Sequence, residues 1–381
     1  MEPVYILGGL RTPIVVKNGK FRNIRPEYFG AKVLQKLIEK YRLKNIDGIF
    51  AGNAVGTGGN IARLMSLEAG ISDTVPACTI DMQCASAAAA IDIARTKIAC
   101  KSGDLFLAGG MESSSLQPLR IYDTKDDRYM QIPGGCYKTA QFSPDELSPT
   151  AMLQGAERII KVEQIKKTEL DYWVLKSHQR ACLARDKKLL ESYIVPINGW
   201  SIDNGLHDKM DQRLLNRLPP VLGPGTSITA ANTCRTNDGA AFIVLCSENY
   251  CKKNNIKPKF RLLDALEKAG PPKESPRGAM RAADALLDCN NLSYYDMDSI
   301  EFNEAFAVID VLFARRFPKL TEHYNQLGGA LAYGHPYGAS GAILALHLMR
   351  SLCISQGKYG LAAIAGAGGM GAAFLIEQCR R

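Results

Sequence analysis

The sequence is poor in features that would assign it quickly. Its 11 cysteines, an odd number, fall singly and form no Cys-x-x-Cys pair. That excludes a disulfide framework and a zinc site, and it suits a reducing, cytoplasmic compartment. The longest apolar runs are short or broken by glycine, so no membrane span is expected. The opening MEPVYILGGLRT lacks a basic stretch and a cleavage site, so no secretory signal is expected either. Charged residues make up only 22% against 46% hydrophobic, which is ordinary for a globular chain and excludes general disorder.

The charge that is present leans positive, at +9. Such a balance suits nucleic acid, membranes, small polyanions or simply a solvated surface. The densest basic run, KKNNIKPK at Lys252–Lys259, has no interleaved aromatic residues, which leaves nucleic acid little support. A phosphate-rich small molecule fits the charge equally well. At 381 residues the chain is long enough for two or three packed subdomains.

Helical and strand patterns alternate. Val4–Leu7, Asp47–Ala51 and Asp104–Ala108 read as strands, the last closed by Gly109 and Gly110; Glu27–Tyr41 and the alanine-rich Ala85–Ala99 read as helices. The rhythm predicts an α/β fold with largely parallel strands. The second half then repeats the first. Asn53 matches Asn303, Cys84 matches Gly338, and Gly109 matches Gly366, at spacings that drift from 250 to 257 residues. Matching element order at a slowly drifting offset indicates a duplicated domain. Between the halves lies an insertion, irregular over Gln117–Pro149 and then helical over Ala151–Lys161 and Glu169–Arg185. A long excursion from a regular core is a common place for a binding surface.

Three residues carry candidate chemistry. Cys84, in TIDMQCASAAAA, precedes the alanine-rich helix. Free N–H groups and the positive dipole end there would favour a thiolate and could hold an oxyanion. Read alone, it is also a small buried hydrophobe. His335, in GGALAYGHPYGASGA, sits among glycines that let a backbone bring an imidazole close to a ligand, or that simply form a turn. Asn303 ends a strand in EFNEAFAVID, where it can cap a turn or hold a water or an oxyanion; Glu304 beside it can orient a neighbour or serve as an acidic first-turn residue. Gly366–Gly371 fits GxGxxG, but AAFLIE follows as a strand, so a glycine hairpin explains it better than a nucleotide loop.

Together these segments resemble the thiolase family. The likeness runs through Arg11-Thr12-Pro13, Gly52-Asn53, the Cys84 segment and Gly109-Gly110-Met111-Glu112-Ser113. It continues through Lys176–Ala181, Thr229–Asn232, Asn237–Ala241, Asn303–Ala307, Gly334-His335-Pro336 and Gly368–Gly371. The resemblance implies a duplicated five-layered αβαβα fold with an inserted loop domain. Residues 1–111 and 232–257 would form the N-terminal half, 112–231 the loop domain that binds coenzyme A, and 258–381 the C-terminal half. It implies coenzyme A thioesters as substrates, no tightly bound cofactor, no metal, no nucleic-acid or membrane partner, and a homodimer or homotetramer. It assigns the nucleophile to Cys84, its base to His335, and to Asn303 a water that stabilises the thioester enolate. Met152 would lie near the acyl pocket, with Thr233, Cys234 and Arg235 near the pantetheine.

The sequence departs from the family pattern where a second cysteine moves the α-proton. That position is Ala365, and a methyl cannot carry a proton. Ala367 replaces an oxyanion-hole glycine, Ala87 the glycine after the nucleophile's serine, Cys234-Arg235 a Ser-Gly pair, and Ala151 a histidine beside the pocket methionine. Three functions follow as expectations: a thiolase-type acyltransferase of reduced turnover, a decarboxylative condensing enzyme that needs no α-proton base, and a catalytically impaired acyl-CoA-binding homologue.

Overall fold

The computed structural model describes residues 2–379. The chain opens with strand β1 (Val4–Arg11), the short β2 (Val15–Val16) and helix α1 (Pro26–Tyr41). β1 outruns its expected Val4–Leu7 limits because Gly8, with a positive φ, absorbs a register shift against the neighbouring strand. Pro26 suits the first turn of α1, where an N–H has no helical partner, and Arg42 in the left-handed region ends the helix. Then follow β3 (Gly48–Gly52), α2 (Ile61–Glu68), β4 (Ala77–Ile80), α3 (Ser86–Ala99) and β5 (Leu105–Ser113). β5 does not close at Gly109-Gly110. The strand runs straight through them, because a Cβ there would collide with the Ala241 and Gly338 carbonyls.

Residues 114–236 leave the sheet. They carry β6 (Arg120–Ile121), α4 (Asp127–Gln131), β7 (Cys136–Tyr137), α5 (Ala151–Val162), α6 (Lys167–Asp186) and α7 (Gln212–Arg217). The chain returns as β8 (Asn237–Ser247), followed by α8 (Glu248–Lys253). The remainder holds β9 (Phe260–Lys268), α9 (Gly278–Cys289), β10 (Ser299–Phe302), α10 (Ala307–Arg316), α11 (Ala330–Tyr333), α12 (Ser340–Ser355), β11 (Tyr359–Gly366) and β12 (Met370–Gln378).

The duplication is visible in the strand order. One half runs β3-β5-β8-β1 and the other β10-β11-β12-β9, and β1 pairs with β9 to join them into one sheet. Each half has a parallel pair, β3 with β5 and β10 with β11, followed by two antiparallel steps. The expected largely parallel sheet is therefore wrong. A hairpin makes the return in the second half: Gly368 and Gly369, at φ +81° and +80°, turn β11 directly into β12. That excludes a nucleotide loop at Gly366–Gly371, since no helix follows it.

Strand alternation sorts side chains into three apolar layers. Leu105, Leu107 and Met111 of β5 face α1 and α2, whereas Phe106 and Ala108 face α3 and α12. In β12, Phe374 and Ile376 face the same central helices, and Ala373 and Leu375 face α9 and α10. The result is helix, sheet, helix, sheet, helix. α12 is apolar enough to cross a membrane by length and composition, but it is largely buried between the two sheet halves.

The two ends of the sheet differ. β4 is paired on one side only, with β3. β10 at the opposite end is sealed: Ile300 N–H and C=O bond to His323 O and Asn325 N, and Phe302 N–H and C=O bond to the Asn325 carboxamide.

α3 and α12 cross at their first turns, where a Cβ on Gly341 would strike the Ala88 backbone nitrogen. Gly341→Ala is expected to destabilise the fold by about 1–3 kcal/mol through overpacking. A lowered urea midpoint checks this, and an unchanged one would show that the helices can separate without loss.

Candidate active site

Cys84 stands at the turn from β4 into α3. Gln83, immediately before it, adopts φ +53°, a left-handed conformation that costs a non-glycine residue on the order of 1 kcal/mol. Side chains hold the turn. Asp81 Oδ1 accepts from the Gln83 backbone N–H and from its Nε2, both at 2.9 Å. Ser86 Oγ accepts from Met82 N–H at 2.9 Å and donates to Gln83 O at 2.5 Å. Ala85 is the N-cap of α3, so Cys84 lies one residue outside the helix. The expected thiolate is not what the site favours at rest. Burial, and after it the charge of Glu112, push the Cys84 thiol up to about 12.

Glu112 is fully buried at the end of β5. Its carboxylate accepts from Asn53 Nδ2 and from the backbone N–H groups of Ala54, Val55 and Gly338, at 2.9–3.2 Å. Burial raises its pKa to about 7, against the pull of those donors. The ionised form alone satisfies all four.

His335 is fully buried after Gly334, whose φ is +102°. Its backbone N–H donates to Arg235 O at 3.0 Å and to Asn237 Oδ1 at 3.1 Å. Ser340 Oγ donates to Pro336 O at 2.9 Å, so it accepts from His335 Nδ1–H at 2.6 Å. Nε2 is thereby left as the ring's acceptor, facing Asn303 Nδ2 at 3.2 Å. Burial pushes the imidazole pKa down to about 3. The ring is a neutral base with one lone pair aimed at the site. Asn303 follows β10, its own N–H bonded to Ala363 O at 3.0 Å. Glu304 does not begin a helix; it orients neighbours, among them the Asn325 carboxamide. It is buried against Ser177 Oγ, Asn325 Nδ2 and Leu331 N–H, tying α6 to the second half.

The Thr233–Thr236 segment threads between these two turns. Thr233 bridges to Phe306, Cys234 N–H donates to Ala305 O at 2.9 Å, and Thr236 bridges to His335. Arg235 sends its guanidinium to Gly205 O and His207 Nε2 of the insertion and to Ala332 O of α11. Ala365 is the last residue but one of β11 and Ala367 begins the hairpin; both are buried. Gly366 between them backs onto Met82 O and Ala85 of the Cys84 turn. Met152, in the first turn of α5, packs against the same apolar layer as Ala365 and Cys234. Cys353 is exposed, and Cys379 bonds through its N–H to Lys259 O, at the end of β12 away from the hairpin.

Sequence reasoning passed over Tyr337, whose ring stands edge-on to His335 at 4.8 Å. Burial, then Cys234, Cys84 and Glu112, hold its phenol well above the ordinary value. It also gave no role to Ser340, although its place five residues after His335 was a readable signal. Among the described residues no three His, Cys, Asp or Glu side chains converge so as to hold a metal ion.

Family models describe the two halves. The thiolase N-terminal domain matches residues 4–249 and the thiolase C-terminal domain matches residues 256–378. The chain belongs to the thiolase family. VraB of Staphylococcus haemolyticus, named as a candidate acetyl-CoA C-acetyltransferase, is 32% identical over the whole of both chains. VraB of Staphylococcus aureus is 32% identical over 91% of this chain and 93% of its own. The crystal structure of the Bacillus anthracis acetyl-CoA acetyltransferase superimposes with a TM-score of 0.92 at 28% identity, covering 100% of this chain and 99% of that one.

Burial holds the Cys84 thiol up at about 12 and the His335 imidazole down at about 3, so each rests in its neutral form. Alkylation of Cys84 by iodoacetamide should therefore keep accelerating as pH rises beyond the ordinary thiol range near ~8.5. A rate already level at neutral pH would reveal a preformed thiolate–imidazolium pair instead.

Proposed function

We propose that this thiolase is an acyl-CoA C-acyltransferase that carries the acyl group on Cys84, with acetyl-CoA or 3-ketoacyl-CoA as substrates. One observation carries the reading: the His335 ring has Nδ1 committed to Ser340 and Nε2 left as a neutral acceptor beside Asn303. That nitrogen can take a thiol proton, and the Asn303 carboxamide can steady a thioester or enolate oxygen. His335 Nε2 accepts the proton as Cys84 Sγ attacks the acyl carbonyl, and coenzyme A leaves. Met152, Thr233, Cys234 and Arg235 are assigned to the acyl and pantetheine side of the site. The whole-length relatives, two of them named for acetyl-CoA acyl transfer, support the same substrate class.

Ala365 supports a second reading, in which acyl-CoA is bound and condensation is impaired, or in which loss of CO₂ supplies the carbanion. The cytoplasm is proposed as the compartment on the strength of free, unpaired thiols, and a homodimer or homotetramer as the assembly.

Intact-protein mass spectrometry after acetyl-CoA treatment is expected to show one acetyl adduct, absent from Cys84→Ala. His335→Ala should slow its formation about 10²–10⁴-fold, the usual worth of a general base. An unmodified Cys84 would overturn the reading, and CO₂ release from malonyl-CoA would favour the decarboxylative alternative.

A further inference from the structure

The acyl chemistry uses one sulfur, Cys84, of the 11 that the chain holds. Among the described residues, one pair of cysteine sulfurs lies within hydrogen-bond distance: Cys246 Sγ and Cys251 Sγ, 3.4 Å apart. Cys246 is the last residue but one of β8, seated between Tyr5 of β1 and Leu105 of β5. Cys251 is the fourth residue of α8. Both are buried in the apolar layer that α1 and α2 share.

The turn between them is held on both sides. Ser247 donates its N–H to Asp104 O at 2.9 Å, and its Oγ caps α8 by accepting from Tyr250 N–H at 3.0 Å. Asn249 Nδ2 donates to Asp104 Oδ2 at 3.0 Å, and Cys251 O accepts from Ile256 N–H at 2.9 Å. A strand that turns into a helix within one residue folds the helix's first turn back over the strand end, and the two sulfurs meet there.

We propose that Cys246 and Cys251 are a dithiol site at which a peroxide-class oxidant forms a reversible disulfide, stapling α8 to the end of β8. An S–S bond of about 2.05 Å asks the sulfurs to close by about 1.4 Å, with no element brought in from elsewhere. The electrons balance. Cys251 Sγ, as thiolate, attacks one oxygen of hydrogen peroxide; the O–O bond breaks, leaving a sulfenic acid and a hydroxide that takes the Cys251 proton as water. Cys246 Sγ attacks the sulfenic sulfur, the S–O bond breaks, and the hydroxyl leaves with the Cys246 proton as a second water. Two thiols lose two electrons, and one peroxide gains them. A dithiol reductant reverses the bond by exchange.

The shared proton sets the order. The hydrogen bond from Cys246 holds the Cys251 thiol below the ordinary value, against burial and the charge of Glu248, whereas Cys246 as donor is held above it. Cys78, Cys100, Cys289 and Cys353 are exposed and have no sulfur beside them, so oxidation carries them on toward sulfinic acid instead. Asn237, whose carboxamide accepts from His335 N–H, stands at the opposite end of β8, about 30 Å away. The dithiol is therefore separate from the Cys84 site and does not rest on the acyl-enzyme reading.

The test treats the full chain with hydrogen peroxide, then denatures it, alkylates it with iodoacetamide and reads the peptides by mass spectrometry. Treated wild type should give a peptide spanning Cys246 and Cys251 that is lighter by two hydrogens and unalkylated, and dithiothreitol should restore two alkylatable thiols. Amide hydrogen exchange across Glu248–Asn254 should slow about tenfold or more in the oxidised chain, because the bond closes the Cys246–Cys251 loop. Cys251→Ser, which keeps the volume, should show neither effect; the wild-type readings decide the matter even where that variant does not fold. Free thiols at Cys246 and Cys251 after a dose that oxidises Cys78 and Cys100 would overturn the proposal. So would a bond from Cys251 to Cys379 or to a second chain, or a Cys246–Cys251 bond that leaves exchange over α8 unchanged.

Discussion

The site depends on one buried carboxylate. Glu112 lies beneath the Gly52–Val55 turn of the first half and the Gly338 turn of the second, and it collects N–H donors from both. These donors cannot turn to water, so leaving any of them bare costs about 1–3 kcal/mol each. The starts of α3 and α12 converge on the same place, since Gly341 packs on Ala87 and Ala88. Two helix starts present positive dipole ends, which favours a negative charge between them. Glu112 thus ties the half that carries Cys84 to the half that carries His335.

The same charge works against the nucleophile. A thiolate at Cys84 would have to share the field of the helix starts with a carboxylate already there, in surroundings short of water. The helix-start argument drawn from sequence counted the dipole and omitted the carboxylate and the burial. Both raise the thiol. Burial holds the His335 imidazole neutral for the same reason.

Much of the fold was legible because it was written twice. Asn53 with Asn303 and the Cys84 turn with the Gly338 turn mark equivalent corners of the two halves, and β3-β5-β8-β1 repeats as β10-β11-β12-β9. Strand direction was not legible, because a glycine pair looks alike whether it ends a strand or lets one pass. Gly109-Gly110 lets β5 continue, whereas Gly368-Gly369 reverses the chain. Cys84, Asn303 and His335 could be found individually from their turns. The proton order of the His335 ring could not, since it depends on Ser340 returning its own proton to Pro336 O. Nor could the partners of Glu112, which lie 57 to 226 positions away along the chain.

The unequal ends of the sheet set a limit on growth. A strand edge sealed by His323 and Asn325 accepts no newcomer, whereas β4 pairs with no strand on its outer side, where the Asn60 carboxamide donates to Ala77 O. A chain with two such open ends can stack head to tail without limit. A chain with one can add a single copy of itself, edge to like edge, and stops there, because a two-fold axis uses up both free strands. The loop that closes the second half thus withdraws the β10 edge from strand-to-strand pairing.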